Sequence, residues 1–273
     1  MPEPQLVPIA REAAPETEAR LAAFYDLDNR DKTDDIDFFR QLARRSGGPV
    51  LELAVGTGRV AIPLAKDGHR LVGLDISAAR LARAREKAVA AGLALELMVG
   101  DMRDFALPEP FALILIAYNS FLFLDPNERA ACLARVREHL ARDGSFVLDV
   151  FQPDPDVIAG MQGALLHEWT RDDPETGKTI LKSQSSVADV DGVRSQHVFD
   201  EVDAAGNVRR YVRAFQLHFL YRRELELLLT ASGFTIEAMY GSYELDSVAA
   251  RSPKLLAVAR RRERGEAPER RHR

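Results

Sequence analysis

Val50-Leu51-Glu52-Leu53-Ala54-Val55-Gly56-Thr57-Gly58-Arg59-Val60-Ala61 passes from a short apolar run through a glycine loop into a helical pattern. Glycines in such a loop let a ligand approach the backbone, and the free N–H groups of the following helix attract polar or anionic ligand atoms. Gly47-Gly48-Pro49 punctuates the chain just before it, so a buried strand is predicted to begin at Val50. Glu52 lies inside that strand, four residues before Gly56, where burial of a carboxylate is costly unless a ligand or a charged partner meets it.

Outward from this stretch, strand and helix patterns alternate. Residues 60–66 read as a helix, 70–74 as a strand, 78–91 as an Ala/Arg-rich helix ended by Gly92, and 94–99 as a strand. Residues 111–117 are continuously apolar, as expected of a parallel strand covered on both faces. Asp125-Pro126-Asn127-Glu128 carries the signals of a helix start, Leu133, Val136 and Leu140 give that helix an apolar face, and Gly144 is expected to end it before a strand at 145–150. After Phe151 the pattern changes. Turn signals at 172–177, 191–192 and 203–207 divide residues 165–220 into about four antiparallel strands. A helix returns at 223–232 with Gly233 as its cap, followed by strands at 234–240 and 255–259. The fold class is therefore α/β: a doubly wound, mostly parallel, seven-stranded Rossmann-like sheet with an inserted antiparallel β segment.

With 273 residues and about 30.4 kDa, of which 46% are apolar and 29% charged, the chain has the makeup of a globular protein rather than a collagenous, coiled-coil or wholly disordered one. Its longest apolar runs fall far short of the roughly 20 residues that span a bilayer, and its start lacks the pattern of a secretion signal. Cys132 is the lone cysteine, so a reducing cytoplasm is expected, with neither disulfide nor cysteine metal site. Net charge is -5, but residues 260–273 hold seven Arg and three Glu and leave the remainder at -9. That basic tail has no interleaved aromatics and the body is acidic, so neither nucleic acid nor membrane is expected as a partner. The expected organisation is a disordered arm at 1–17, a helical cap at 18–46, a ligand-binding α/β domain at 47–152 and 221–262, the β insertion at 153–220, and a disordered basic tail at 263–273.

Gly56-Thr57-Gly58-Arg59-Val60-Ala61 also fits the dinucleotide pattern G-x-G-x-x-A, with Asp75 where a ribose-binding acid would fall, so a nicotinamide oxidoreductase enters as an alternative. None of the six Tyr residues has Lys four positions on, which removes the Tyr-Lys pair of short-chain dehydrogenases. Gly100-Asp101-Met102-Arg103 follows the third strand and Tyr118-Asn119-Ser120 the fourth, at the sheet edge where open α/β folds bind ligands. Asp26, Asp28, Asp31, Asp34, Asp35 and Asp37 lack the Gly and the terminal Glu of a calcium loop and read as a solvated acidic elbow, so no metal is expected.

In these segments the chain resembles the class I S-adenosylmethionine-dependent methyltransferases. Leu51 to Gly58 is similar to their first motif, with Ala54 in place of its first glycine; Leu74-Asp75-Ile76-Ser77 resembles the segment with the ribose-binding acid, and Gly100-Asp101-Met102 the adenine-binding segment. The resemblance implies S-adenosyl-L-methionine as cofactor. It also implies that Gly56 and Gly58 approach its methionine portion, that Asp75 binds both ribose hydroxyls and that Asp101 meets the adenine amino group with Met102 packing on the ring, with Glu52, Ala54, Arg59, Ile76, Tyr118 and Asn119 as further cofactor-binding candidates. The insertion and the segment around Tyr25 resemble the lids of small-molecule members such as glycine and amino-sugar N-methyltransferases. They suggest a small-molecule acceptor methylated on nitrogen or oxygen by direct displacement, in a monomer or homodimer. Residues 119–124 contain no His, so no base is carried over from those members; Tyr25 and His167 are the candidates for the methyl-transfer site, and His197 and His218 share the insertion. A non-catalytic cofactor-binding protein on the same fold is the remaining alternative.

Overall fold

Val50–Leu53 (β1) has all four residues buried, and no polar face is left for solvent because the strand sits in the middle of the sheet. The computed structural model describes residue 6 and residues 14–262; the expected tail at 263–273 and most of the expected arm lie outside them. β1 pairs in parallel with Leu71–Asp75 (β2) on one side and with Phe111–Ile116 (β4) on the other. Adding Glu96–Val99 (β3), Leu140–Phe151 (β5), Phe234–Tyr240 (β10) and Lys254–Arg261 (β11) gives the order β10-β11-β5-β4-β1-β2-β3. β11 alone runs against the direction of the other six strands. The chain therefore winds outward from β1 in both directions, and the carboxyl ends of β1 and β4 form the switch point that favours ligand binding.

Helices Ile36–Ser46 (α2), Ala61–Lys66 (α3) and Ala78–Ala90 (α4) contribute Phe39, Leu64 and Leu81 to one core layer with Val50, Leu113, Leu115 and Val147. Alternate residues of β5 point to the other face, where Phe146 meets Phe234 with ring centroids 5.5 Å apart. Pro126–His139 (α5) starts with the expected device: Asp125 accepts from the N–H groups of Asn127 and Glu128, and Glu128 reaches back to the Asp125 N–H. Arg222–Ala231 (α7) precedes β10.

Gly144 does not end α5. The helix stops at His139 and β5 begins at Leu140, so Gly144 lies within the strand. A Cβ there would sit 2.9 Å from the Phe111 carbonyl oxygen and 3.0 Å from Leu140 Cδ1, so glycine is required by close backbone approach and not by a helix cap.

The chain divides into two units. Among the described residues, 32–152 with 220–262 form the sheet unit, and 14–31 with 153–219 form the other. The second contains Pro15–Asp28 (α1), the short Pro155–Ala159 (α6), and a four-stranded antiparallel sheet of Leu166–Asp172 (β6), Thr179–Ala188 (β7), Gly192–Val202 (β8) and Val208–His218 (β9). Each hairpin turn is closed by an Asp carboxylate accepting from backbone N–H groups: Asp173 from Glu175, Asp189 from Asp191 and Gly192, and Asp203 from Ala205 and Asn207.

Two expectations about the N-terminal part change. Helix α1 begins at Pro15, inside the expected arm, because Pro15 suits the first helical position and Glu16 and Glu18 favour the helix N-terminus. The expected cap at 18–46 is not one body. Leu21, Phe24 and Leu27 of α1 join Ile180, Phe199 and Tyr211 of the insertion, with Phe24 stacked on Phe199 at 4.9 Å, whereas α2 packs into the core of the sheet unit. Arg20 pairs with Asp173 at 3.0 Å and Glu201 at 2.5 Å, and Asp28 takes Lys182 at 2.6 Å and the Trp169 indole N–H at 2.8 Å.

Candidate functional site

After β1 the backbone turns through three left-handed residues, Ala54 (φ 57°), Gly56 (φ 56°) and Gly58 (φ 78°), before entering α3. Ala54 holds a conformation that costs an ordinary L-residue about 1 to 2 kcal/mol. Two distinct needs explain the glycines. A Cβ on Gly58 would lie 3.1 Å from Ile62 Cδ1, whereas one on Gly56 would meet nothing nearer than the Ala54 carbonyl oxygen at 4.0 Å and project into open space. A loop that is strained, open at its glycine and followed by a helix N-terminus can receive a ligand.

Beneath this loop Glu52 is 3% exposed, and its Oε2 has no hydrogen-bond partner. Burial raises its carboxyl to about 8; Arg59 and the Ala61 N–H oppose the rise, while Asp35 and Asp75 add to it. Arg59 is engaged with Asp35, which accepts from Nη1 at 2.7 Å and Nη2 at 2.6 Å, and its guanidinium lies 4.9 Å from the Tyr118 ring centroid. Asp35 has 0% exposure, so the acidic elbow is not solvated there; its carboxylate is neutralised by a partner 24 residues away.

Asp75 ends β2 and is also buried. Its Oδ2 accepts from the Gly56 N–H at 2.8 Å and its Oδ1 from the Ser77 N–H at 2.8 Å, which ties the second strand to the glycine loop. Each oxygen keeps acceptor capacity for a further donor. The cap of α4 is Ser77, whose side chain accepts from the Arg80 N–H. Next to Asp75, Ile76 is 71% exposed, an uncommon state for a large apolar residue beside a binding loop, and Met102 is half-buried. Asp101 accepts from Arg103 through the backbone N–H and the guanidinium, which holds its carboxyl below the usual carboxylate range.

Tyr118 (φ 52°) and Asn119 (φ 65°) follow β4 in consecutive left-handed conformations. Asp149 of β5, with 0% exposure, over-determines this strained pair. Its Oδ2 accepts from the Tyr118 N–H at 2.9 Å and the Tyr243 hydroxyl at 2.8 Å, its Oδ1 pairs with Lys254 at 3.0 Å, and its carbonyl accepts from the Asn119 N–H at 3.0 Å. The Asn119 side chain returns to accept from the Phe151 N–H at 2.7 Å. Lys32 and Lys254 lie near both the Tyr118 and Tyr243 rings, 4.9 to 5.6 Å from the centroids. Burial, with Asp149 beside it, drives the Tyr243 phenol far above its ordinary range.

Glu52, Ala54, Gly56, Gly58, Arg59, Asp75, Ile76, Asp101, Met102, Tyr118 and Asn119 all belong to the sheet unit. Tyr25 and His167 belong to the other one. Tyr25 is half-buried on α1, and His167 is exposed on β6 with Nε2 3.3 Å from Thr170 Oγ1. His197, between the rings of Phe199 and Phe215, is pushed down to about 4 by burial and by Lys182. Asp35, Asp149, Tyr243 and Lys254 were not anticipated. Asp149 carries the same signal as Glu52, an acid within an apolar strand, and could have been found by it.

Residues 50–144 match the family described as methyltransferase domain. The chain is similar to a dTDP-3-amino-3,4,6-trideoxy-alpha-D-glucopyranose N,N-dimethyltransferase of Streptomyces venezuelae, 28% identical over 193 residues that cover 70% of this chain and 77% of the relative. It is also similar to the cypemycin N-terminal methyltransferase of a Streptomyces species, 26% identical over 79% of this chain and 84% of the relative. An S-adenosylmethionine-dependent methyltransferase structure from Clostridium acetobutylicum shares the fold, with a TM-score of 0.77, 17% identity, and coverage of 89% of this chain and 98% of that one. The matched domain and these relatives support an S-adenosyl-L-methionine-dependent methyltransferase of the class I type. Within that class it resembles the amino-sugar N-methyltransferases. The open glycine loop and the unpartnered Glu52 oxygen fit the cofactor, and methyl transfer is favoured over hydride transfer as the use of this loop. No helix among the described residues is long and apolar enough to cross a membrane.

Proposed function

We propose that this enzyme methylates a nitrogen of a small acceptor of the amino-sugar class. The observation that carries this reading is that the two similar proteins named above differ in acceptor scaffold, a nucleotide-linked sugar and a peptide amino terminus, yet both take the methyl group on nitrogen by their names. A neutral amine attacks with its own lone pair, whereas a hydroxyl needs a base beside it. Residues 119–124 supply no His, which accords with nitrogen. The bound cofactor supplies an electrophilic methyl on a sulfonium; the protein's part is alignment and exclusion of water.

In this reading Ala54, Gly56 and Gly58 admit the methionine portion of the cofactor, flanked by Arg59, and Glu52 meets its ammonium group. Asp75 accepts from the ribose hydroxyls, Asp101 from the adenine amino group, and Ile76 and Met102 pack against the ring. Tyr118 and Asn119 border the reacting methyl. Acceptor choice is assigned to the insertion, with Tyr25 and His167 taking part in recognition. A cytoplasmic setting suits the lone, buried Cys132.

The test is incubation of the purified protein with S-adenosyl-L-methionine and three acceptor sets: dTDP-3-amino sugars, their 3-hydroxy counterparts, and peptides with free amino termini, with products read by mass spectrometry. N-methylation of an amino sugar with inert hydroxy counterparts is expected. Methylation of the hydroxy sugars at a comparable rate, or of the peptides alone, overturns the assignment.

A further inference from the structure

Asp101 is held by one residue. Arg103 donates its backbone N–H to Oδ1 at 2.8 Å, its Nε–H to both oxygens at 2.9 Å, and an Nη2–H to Oδ2 at 2.5 Å. Through Nη1 the same guanidinium binds Glu128 in the first turn of α5. That helix start is itself locked, because the second Glu128 oxygen accepts from the Asp125 N–H at 3.0 Å. Asp101 is thus fixed by a planar fork whose far side is anchored to a separate element of the sheet unit.

The count of hydrogens makes this more than a surface ion pair. An ionised carboxylate offers about four lone-pair directions and no donor. The backbone N–H, the shared Nε–H and the Nη2–H together take most of them, leaving room for about one further N–H. A ligand that brings an exocyclic amine satisfies that direction, whereas one that brings a carbonyl oxygen sets acceptor against acceptor.

We propose that Arg103 is a positioning residue for cofactor selection, orienting Asp101 so that the site takes a 6-amino purine and rejects a 6-oxo purine. The proposal rests on the reading of Asp101 as the acid that faces the adenine amino group. A merely structural Arg103 would affect both ligands alike; a positioning Arg103 affects only the one that Asp101 can bond.

The test is calorimetric titration of the intact protein with S-adenosylhomocysteine and with its 6-oxo analogue, S-inosylhomocysteine, in the wild type and in Arg103→Gln, Arg103→Lys and Asp101→Asn. Melting temperatures without ligand verify folding. The wild type should prefer the adenosyl ligand about tenfold or more, the effect of one charge-assisted hydrogen bond. Arg103→Gln should narrow that preference to about threefold or less through lost adenosyl affinity, with inosyl affinity unchanged within about threefold. Arg103→Lys, which restores charge without the fork, should fall between. Equal weakening of both ligands in the Arg103 variants, or no preference in the wild type, overturns the proposal. If Arg103→Gln does not fold, the Lys variant decides by the same criterion. A preference retained in Asp101→Asn overturns the reading of Asp101 itself.

Discussion

Replacing Glu52 by Gln should make the protein more stable at neutral pH while removing a pH dependence that the wild type must carry. The Glu52 carboxyl is raised from 4.5 to about 8 in the folded protein, chiefly by burial. Between those two values the unfolded chain has lost the proton and the folded chain keeps it, so the folded state binds more protons and its stability falls as pH rises. Below pH 4.5 the stabilisation is fully present; above about 8 it is gone. One pKa unit corresponds to about 1.4 kcal/mol, so the whole window is worth about 5 kcal/mol and the part lost by pH 7 about 3. Gln removes the ionisation, and its amide oxygen can still accept from the Ala61 N–H.

Urea unfolding of both proteins at half-unit steps from pH 5 to 8.5 measures this directly, since the difference between the two profiles cancels every group they share. The wild type should lose about 3 to 5 kcal/mol more than Glu52→Gln across the range. Parallel profiles would refute the reasoning, because they would mean that Glu52 is already ionised and partnered in the folded protein. A second readout follows from the proposed placement of the cofactor ammonium beside Glu52. Binding of S-adenosylhomocysteine at pH 7 should release close to one proton, seen as a binding enthalpy that depends on the buffer, and Glu52→Gln should abolish the release.

Ala54→Gly relieves a left-handed alanine but adds freedom to the unfolded chain, so a net stabilisation of about 0.5 to 1 kcal/mol is expected in urea unfolding; destabilisation would show that the Ala54 methyl packs usefully. Asp75→Ala should weaken S-adenosylhomocysteine at least about tenfold by calorimetry. It should also cost about 2 to 4 kcal/mol of stability, since the Gly56 and Ser77 N–H groups lose their acceptor. Unchanged affinity would reduce Asp75 to a brace for the loop. Tyr243→Phe removes a hydrogen bond to the buried Asp149 carboxylate and should cost about 1.5 to 3 kcal/mol, whereas a loss under about 0.5 would mean that Lys254 and the Tyr118 N–H suffice to hold that acid.

The central strands of the parallel sheet were legible because they are buried on both faces, so Phe111–Ile116 appears as an unbroken apolar run between turn residues and Val50–Leu53 as one interrupted only by Glu52. The insertion was legible through the Asp residues of its turns, which act on backbone N–H groups two to four positions away. Interactions of that range are local and leave a local pattern. Gly144 misled because glycine signals both a helix end and a close backbone approach, and only the pairing of β4 with β5 separates the two. The allegiance of α1 was hidden for a related reason: its apolar stripe states that the helix is buried, not against what.

The same distinction governs the site. Glu52 and Asp149 look alike in the sequence, each an acid inside an apolar strand, and each should be read as a demand for a partner. Asp149 has that demand met within the chain, by Lys254, the Tyr243 hydroxyl and the Tyr118 N–H, the first two roughly a hundred residues away. Glu52 does not: the guanidinium nearest to it is spent on Asp35, and one of its oxygens has no protein donor. An acid satisfied from within braces the fold, and here it holds Tyr118 and Asn119 in a strained turn. On the proposed placement of the cofactor, an acid left partly unsatisfied beneath an open glycine loop is stabilised by a donor that arrives from outside the chain, the ammonium group of the cofactor.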